Sequence, residues 1–263
     1  LRKLINIITN LLIINFCIFI ALFIYNLPIL TNLNESYIES YNYNEDNYNL
    51  IAKILQDTNE KDWVKYIDYI ELKEYKHIAN DKNSSTAFIL SLPKKTSLIA
   101  LYEKQSEDKY IYKSKITNLS PIQNIYFYKD FLVVEQLIDE EITDPIKNEF
   151  IEVFLNTNNN FLSVFKKSIF LDKTYKKMSM EDNDDNVKST WVRYTENSSI
   201  DYLDETIPKI MAITSYVTYE GKSKSMPKNY ELKETKNNMQ KELYVWNNDT
   251  QKFELIEKTE IKQ

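Results

Sequence analysis

The stretch "TAFILSLPKKTSLIALYEK", Thr86 to Lys104, decides how the chain folds. Two apolar runs rich in β-branched and aromatic residues flank "PKK", Pro93 to Lys95, where proline suits a turn. Each run is shorter than a typical helix and is bounded by turn formers, so the pair reads as a β-hairpin.

Similar runs follow along the rest of the chain: "KYIYKSKIT" (109–117), "IQNIYFYK" (122–129), "FLVVEQLI" (131–138), "FIEVFLN" (150–156) and "FLSVFKKSIF" (161–170). Then come "STWVRYTE" (189–196), "KIMAITSYVTYEG" (209–221), "NYELKETK" (229–236), "ELYVWN" (242–247) and "KFELIEK" (252–258). "NTNNN" (156–160) and "NNDTQ" (247–251) are hairpin loops between such runs. Turns spaced about ten residues apart imply an antiparallel meander, built as a sandwich, an open barrel or a partial propeller. No strict repeat of the kind propellers carry is present. The strand pattern is expected from Trp63 onward.

Ahead of the strands, Leu50, Ile51, Ile54 and Leu55 recur at helical spacing, which predicts a short amphipathic helix from Tyr48 to Asp57. Residues 31–49 are polar and low in complexity and read as a tether.

From Leu4 to Tyr25 the chain has no charge, and that length crosses a hydrocarbon core of roughly 30 Å as a helix. Arg2 and Lys3 precede it, while Glu35, Glu39, Glu45 and Asp46 follow. The positive-inside rule then places the N-terminus in the cytoplasm and the body outside, as in a signal anchor. Cleavage fits poorly: no small-x-small pair follows the segment, and Cys17 sits mid-span after Phe16 rather than at a lipoprotein site. The expected organisation is therefore an anchor over 1–30, the tether, and a β-rich extracytoplasmic domain over 50–263. A subdivision of that domain, if there is one, falls at the acidic residues 180–186. A membrane partner through residues 4–25 and an envelope or membrane protein partner are the expected associations.

Composition bounds the chemistry. Gly221 is the one glycine of 263 residues, against an average of about 18. Glycine-rich phosphate loops and the Gly-x-Ser-x-Gly elbow are thereby excluded in their ordinary form. Positive-φ positions are expected to fall to Asn and Asp. His77 is the one histidine and Cys17 the one cysteine, so histidine-carboxylate triads and Cys or His zinc sites lack their ligands. No cofactor is expected. The net charge of −6 argues against nucleic acid as a partner. The abundance of Ile, Asn, Lys and Tyr reflects A- and T-rich codons, as in a low-GC Gram-positive bacterium or, alternatively, an AT-rich eukaryotic parasite.

Two site signals remain. Tyr110 with Tyr112, and Tyr126 with Tyr128, are each spaced to share one strand face, a platform for sugar rings or a protein partner if not simply cross-strand packing. Asp182, Asp184 and Asn186 open like a calcium loop. Val187 and Arg193 then stand where an EF-hand needs Gly and Glu, leaving a loose surface site or a solvated loop. The expected function is a non-catalytic envelope binding or scaffolding module. A wall-carbohydrate binder and a carboxylate-based glycan hydrolase are the alternatives.

Overall fold

The computed structural model describes residues 46–76, 85–106, 109–141, 145–157, 160–177, 189–223 and 225–261. A helix, α1 (Asp46–Asp57), and a 3₁₀ segment (Lys61–Tyr69) precede twelve strands. The first four are β1 (Glu71–Lys76), β2 (Ser85–Leu92), β3 (Thr96–Ser106) and β4 (Lys109–Leu119). The remaining eight are β5 (Ile122–Tyr128), β6 (Phe131–Glu140), β7 (Ile146–Thr157), β8 (Asn160–Lys177), β9 (Ser189–Leu203), β10 (Lys209–Ser223), β11 (Lys233–Asn247) and β12 (Lys252–Ile261). Strands β1–β4 form one antiparallel sheet and β5–β12 a second, each in sequential order. Neither closes into a barrel.

The hairpin at Thr86–Lys104 lies at the centre of the first sheet and is covered on both sides. Phe88, Leu90, Leu98, Ala100 and Tyr102 face α1, whose Leu50, Ile51, Ile54 and Leu55 are all buried, as the helical spacing predicts. Burying a side chain such as Ile54 or Leu55 completely stabilises by about 1.5–3 kcal/mol. Ala87, Ile89, Ile99 and Leu101 point the other way, onto Ile122, Ile125, Leu132, Val134 and Phe154 of the second sheet. Coverage on both faces is why these runs are continuously apolar rather than alternating.

Strand β6 repeats the arrangement. Leu132 and Val134 face the first sheet, while Phe131 and Val133 face a third core with Val153, Phe165, Ile210 and Phe253. That third core exists because the second sheet folds back on itself. Strand β8 pairs with β7 from Asn160 to Lys173 but with β9 only from Phe170 to Lys177. Past Asn197, β9 follows β10 alone. The sheet splits there, and β9–β12 lie over β5–β8 around an aromatic interior. Phe131 meets Trp246 at 4.9 Å and Phe253 at 5.1 Å, and Phe165 meets Tyr244 at 4.9 Å. Bulges in the β7–β8 register, at Glu149/Phe150 and Val153/Phe154, supply the extra twist that such a bend needs.

Three expectations are corrected. Residues 61–69 form a 3₁₀ segment, not a strand, because Trp63, Ile67 and Ile70 are spaced to meet the α1 core together. "NYELKETK" and "ELYVWN" do not form two strands, since Asn229–Glu231 is a 3₁₀ turn and β11 then runs unbroken to Asn247. Positive φ is not confined to Asn and Asp: Asn59 and Asn118 adopt it, but so do Lys94, Lys95, Lys129 and Gln251. At Lys94 and Lys95 it occupies two successive residues, the I′ pattern that matches strand twist. In a chain with one glycine, hairpin geometry overrides residue preference at these turns.

No helix among the described residues is long and apolar enough to cross a membrane. Residues 4–25 and the 31–45 part of the tether lie outside the described residues.

Candidate functional site

The four tyrosines singled out by spacing occupy two separate cores. Tyr110 and Tyr112 of β4 pack, half-buried, against the α1 core. The Tyr112 ring meets Tyr102 edge-on at 5.6 Å, and the Tyr102 hydroxyl donates to Asp57 Oδ2 at 2.8 Å. Burial, helped by the negative Asp57, pushes the Tyr112 phenol above its ordinary value.

Tyr126 and Tyr128 of β5 project instead into the fold-over of the second sheet. The Tyr126 hydroxyl lies 3.1 Å from that of Tyr202 on β9. The Tyr128 hydroxyl accepts from the Lys209 backbone N–H at 3.0 Å and donates to the Leu203 carbonyl at 2.7 Å. These two side chains thus tie β5 to the β9–β10 hairpin. Burial raises the Tyr126 and Tyr202 phenols, so both stay protonated and serve as neutral hydrogen-bonding groups.

Where β8 leaves β9, a polar network fills the interior. Lys167 of β8 reaches Glu242 of β11 at 2.9 Å and Glu196 of β9 at 3.6 Å. Glu242 is 4% exposed and collects further bonds from the Tyr244 hydroxyl and Gln240 Nε2, each at 2.9 Å, and from Lys258 at 3.2 Å. Gln240 also bonds Tyr216, and Tyr194 donates to Glu196 at 3.4 Å. Nearby on β9 and β10, the buried Ser198 and Thr214 hydroxyls pair at 3.0 Å. Burial alone would raise the Glu242 carboxyl. The hydrogen bonds and charge of Lys167, with Tyr244, outweigh it and hold the group below its ordinary value. Burial likewise opposes the Lys167 charge, and Glu242 more than restores it. Tyr244 is pushed up to about 12, by burial first and then by Glu242. With both carboxylates engaged by Lys167 and hydroxyl donors, the network is built to hold charge in place.

Among the described residues, clefts open at two places on the surface. One, of about 320 Å³, lies between the start of β7 and the 226–229 segment, with Asp139, Glu140 and Glu141 on its wall. Two cations line it: Arg193 forks onto Asp172 with bonds of 2.9 and 2.7 Å, and Lys147 lies 3.3 Å from Glu149. The other, of about 160 Å³, lies beside Trp63 of the 3₁₀ segment.

Among the described residues no group of three His, Cys, Asp or Glu side chains converges for a metal ion. Asp182, Asp184 and Asn186, like His77 and Cys17, lie outside the described residues. The Lys167–Glu242 network escaped sequence reasoning because its members are 75 residues apart, and each reads alone as a solvated strand residue. Comparison with protein-family models, with curated proteins and with solved structures returns no match.

Proposed function

We propose that this chain is a membrane-anchored, extracytoplasmic, non-catalytic binding module of the cell envelope, and that it takes a protein partner along strand β12. One observation carries the reading. β12 is an edge of the larger sheet, ten residues long, with every residue from Glu254 to Ile261 exposed. Leu255, Ile256 and Ile261 are 47%, 62% and 37% exposed. A sheet edge offers a row of backbone donors and acceptors, and strand addition is a common mode of peptide recognition.

The same strand carries features that oppose indiscriminate pairing. Glu254, Glu257 and Glu260 interrupt its apolar residues, and a register shift falls opposite Leu243 and Tyr244, between Leu255 and Glu257. Such charges and bulges discourage self-association. They favour a partner strand with Lys or Arg between apolar side chains. In this reading residues 4–25 hold the domain at the outer membrane surface, and the following polar residues set its reach.

The test is crosslinking in cells, followed by mass spectrometry of what co-purifies with tagged full-length chain and with an Ile256→Pro variant. Ile256 is the extra residue of the β12 register shift and has no partner on β11, a position where an edge strand tolerates proline, which removes a backbone donor. Capture of one envelope protein by the wild type, lost in the variant at unchanged thermal stability, supports the reading. Equal capture by both refutes the β12 site.

A further inference from the structure

We infer that the cavity beside Trp63 is a binding site for one small, neutral, polyhydroxylated ligand: a single sugar ring or a polyol. Its volume of about 160 Å³ is room for about five waters, enough for one ring but not a chain of them. Trp63, Leu92 and Leu98 supply apolar wall. Glu60, Thr117 and Asn118 supply polar groups beside it. A sugar ring has this mixed character, with C–H faces that lie on an indole and hydroxyls that reach polar groups at its edge.

The three tryptophans differ in a telling way. The Trp191 indole N–H donates to the Ser223 carbonyl at 3.3 Å, and that of Trp246 to Asn248 Oδ1 at 2.6 Å. Trp63 contacts the Tyr66 ring at 6.0 Å, but its indole N–H meets no acceptor among the described residues. The half-buried Trp63 packs against the α1 core, lines the cavity and keeps an indole N–H that no described residue uses. Glu60 is fixed by Lys115 at 2.8 Å, which neutralises the carboxylate and leaves it as an acceptor. Lys94, exposed on the rim, is the other charged residue of the lining. Ser97 also contributes to the wall, but it alternates with Leu98 and so points toward the second sheet.

Left-handed backbone recurs around the cavity. Lys94, Lys95 and Asn118 have φ of 68°, 55° and 61°, and Asn59, next to Glu60, has 56°. Asn118 sits in the extra length of β4 that bulges between the Ser97–Leu119 and Ile99–Ile116 pairs. At Lys94 and Lys95 this is the hairpin turn itself, and asparagine visits this region readily, so turn geometry fixes the rim in place.

The experiment is ligand-observed NMR and calorimetric titration of the full-length chain in detergent with glucose, N-acetylglucosamine and glycerol. At least one probe binds at one site per chain with a Kd in roughly the millimolar range, as expected for so small a contact. Trp63→Ala weakens that binding at least tenfold. Thr117→Val, which keeps the side-chain shape and removes the hydroxyl, also weakens it and provides the test if the Trp63 variant misfolds. No saturable binding of any probe up to about 100 mM, or binding unchanged in both variants, overturns the assignment. The readout needs no protein partner, so it stands or falls separately from the β12 proposal.

Discussion

Lys167 and Glu242 meet at 2.9 Å across the interior of the folded-over sheet, joining β8 to β11 with side chains only 12% and 6% exposed. The pair stands where β8 and β9 part, so it braces the two halves of one sheet against each other.

Lys167→Met leaves the Glu242 carboxylate buried without its main counter-charge. Breaking a buried pair from one side costs about 3 kcal/mol or more, whereas removing both partners costs less. Urea unfolding of the single variants and of Lys167→Met/Glu242→Met is the measurement. The double variant is expected to be more stable than Lys167→Met alone.

The same network sets a pH window. Glu242 titrates lower in the folded chain than its ordinary 4.5. Its contribution is fully present above that value and is lost as pH falls through the folded value. Tyr244 shifts the opposite way, from 10.0 to about 12, so its contribution is present below 10 and fades as pH rises toward 12. Thermal melts are expected to show a plateau between these limits, with the acid-side loss diminished in Glu242→Gln.

Gly221 lies on β10 where the chain passes residues 231–232. A Cβ there would meet Leu232 Cδ2 at 2.9 Å and the Glu231 carbonyl oxygen at 3.0 Å. Gly221→Ala is expected to destabilise by about 1–3 kcal/mol, because the backbone oxygen cannot yield as a side-chain end can. Chemical denaturation checks it.

Gln251 closes the β11–β12 hairpin with φ of 51° and an exposed side chain. Left-handed backbone costs a non-glycine residue about 1–2 kcal/mol. Gln251→Gly is expected to raise the melting temperature, since relief of that strain exceeds the entropy that glycine adds to the unfolded chain.

Much of this fold was legible in the sequence. Turn formers at Pro93–Lys95, Asn156–Asn160 and Asn247–Gln251 separate apolar runs short enough to be strands, and the stripe Leu50, Ile51, Ile54, Leu55 marks the helix. These signals are local, with a few residues dictating their own geometry. The fold-over is not local. It depends on where β9 stops following β8, and nothing around Phe170 or Asn197 announces that. Consequently Glu242, the first residue of "ELYVWN", reads as a solvated charge at the end of a strand until Lys167 is brought to it. The spacing of the tyrosines predicts shared faces, but not that the Tyr128 hydroxyl would be occupied by the backbone of residues 203 and 209.

The most direct test of the binding proposal is a photo-crosslinking residue placed at Ile256 in cells, with the same residue at exposed Lys222 as a control. One discrete adduct with an envelope protein is expected from position 256 and none from 222. No adduct at 256, or the same adducts from both positions, would contradict it.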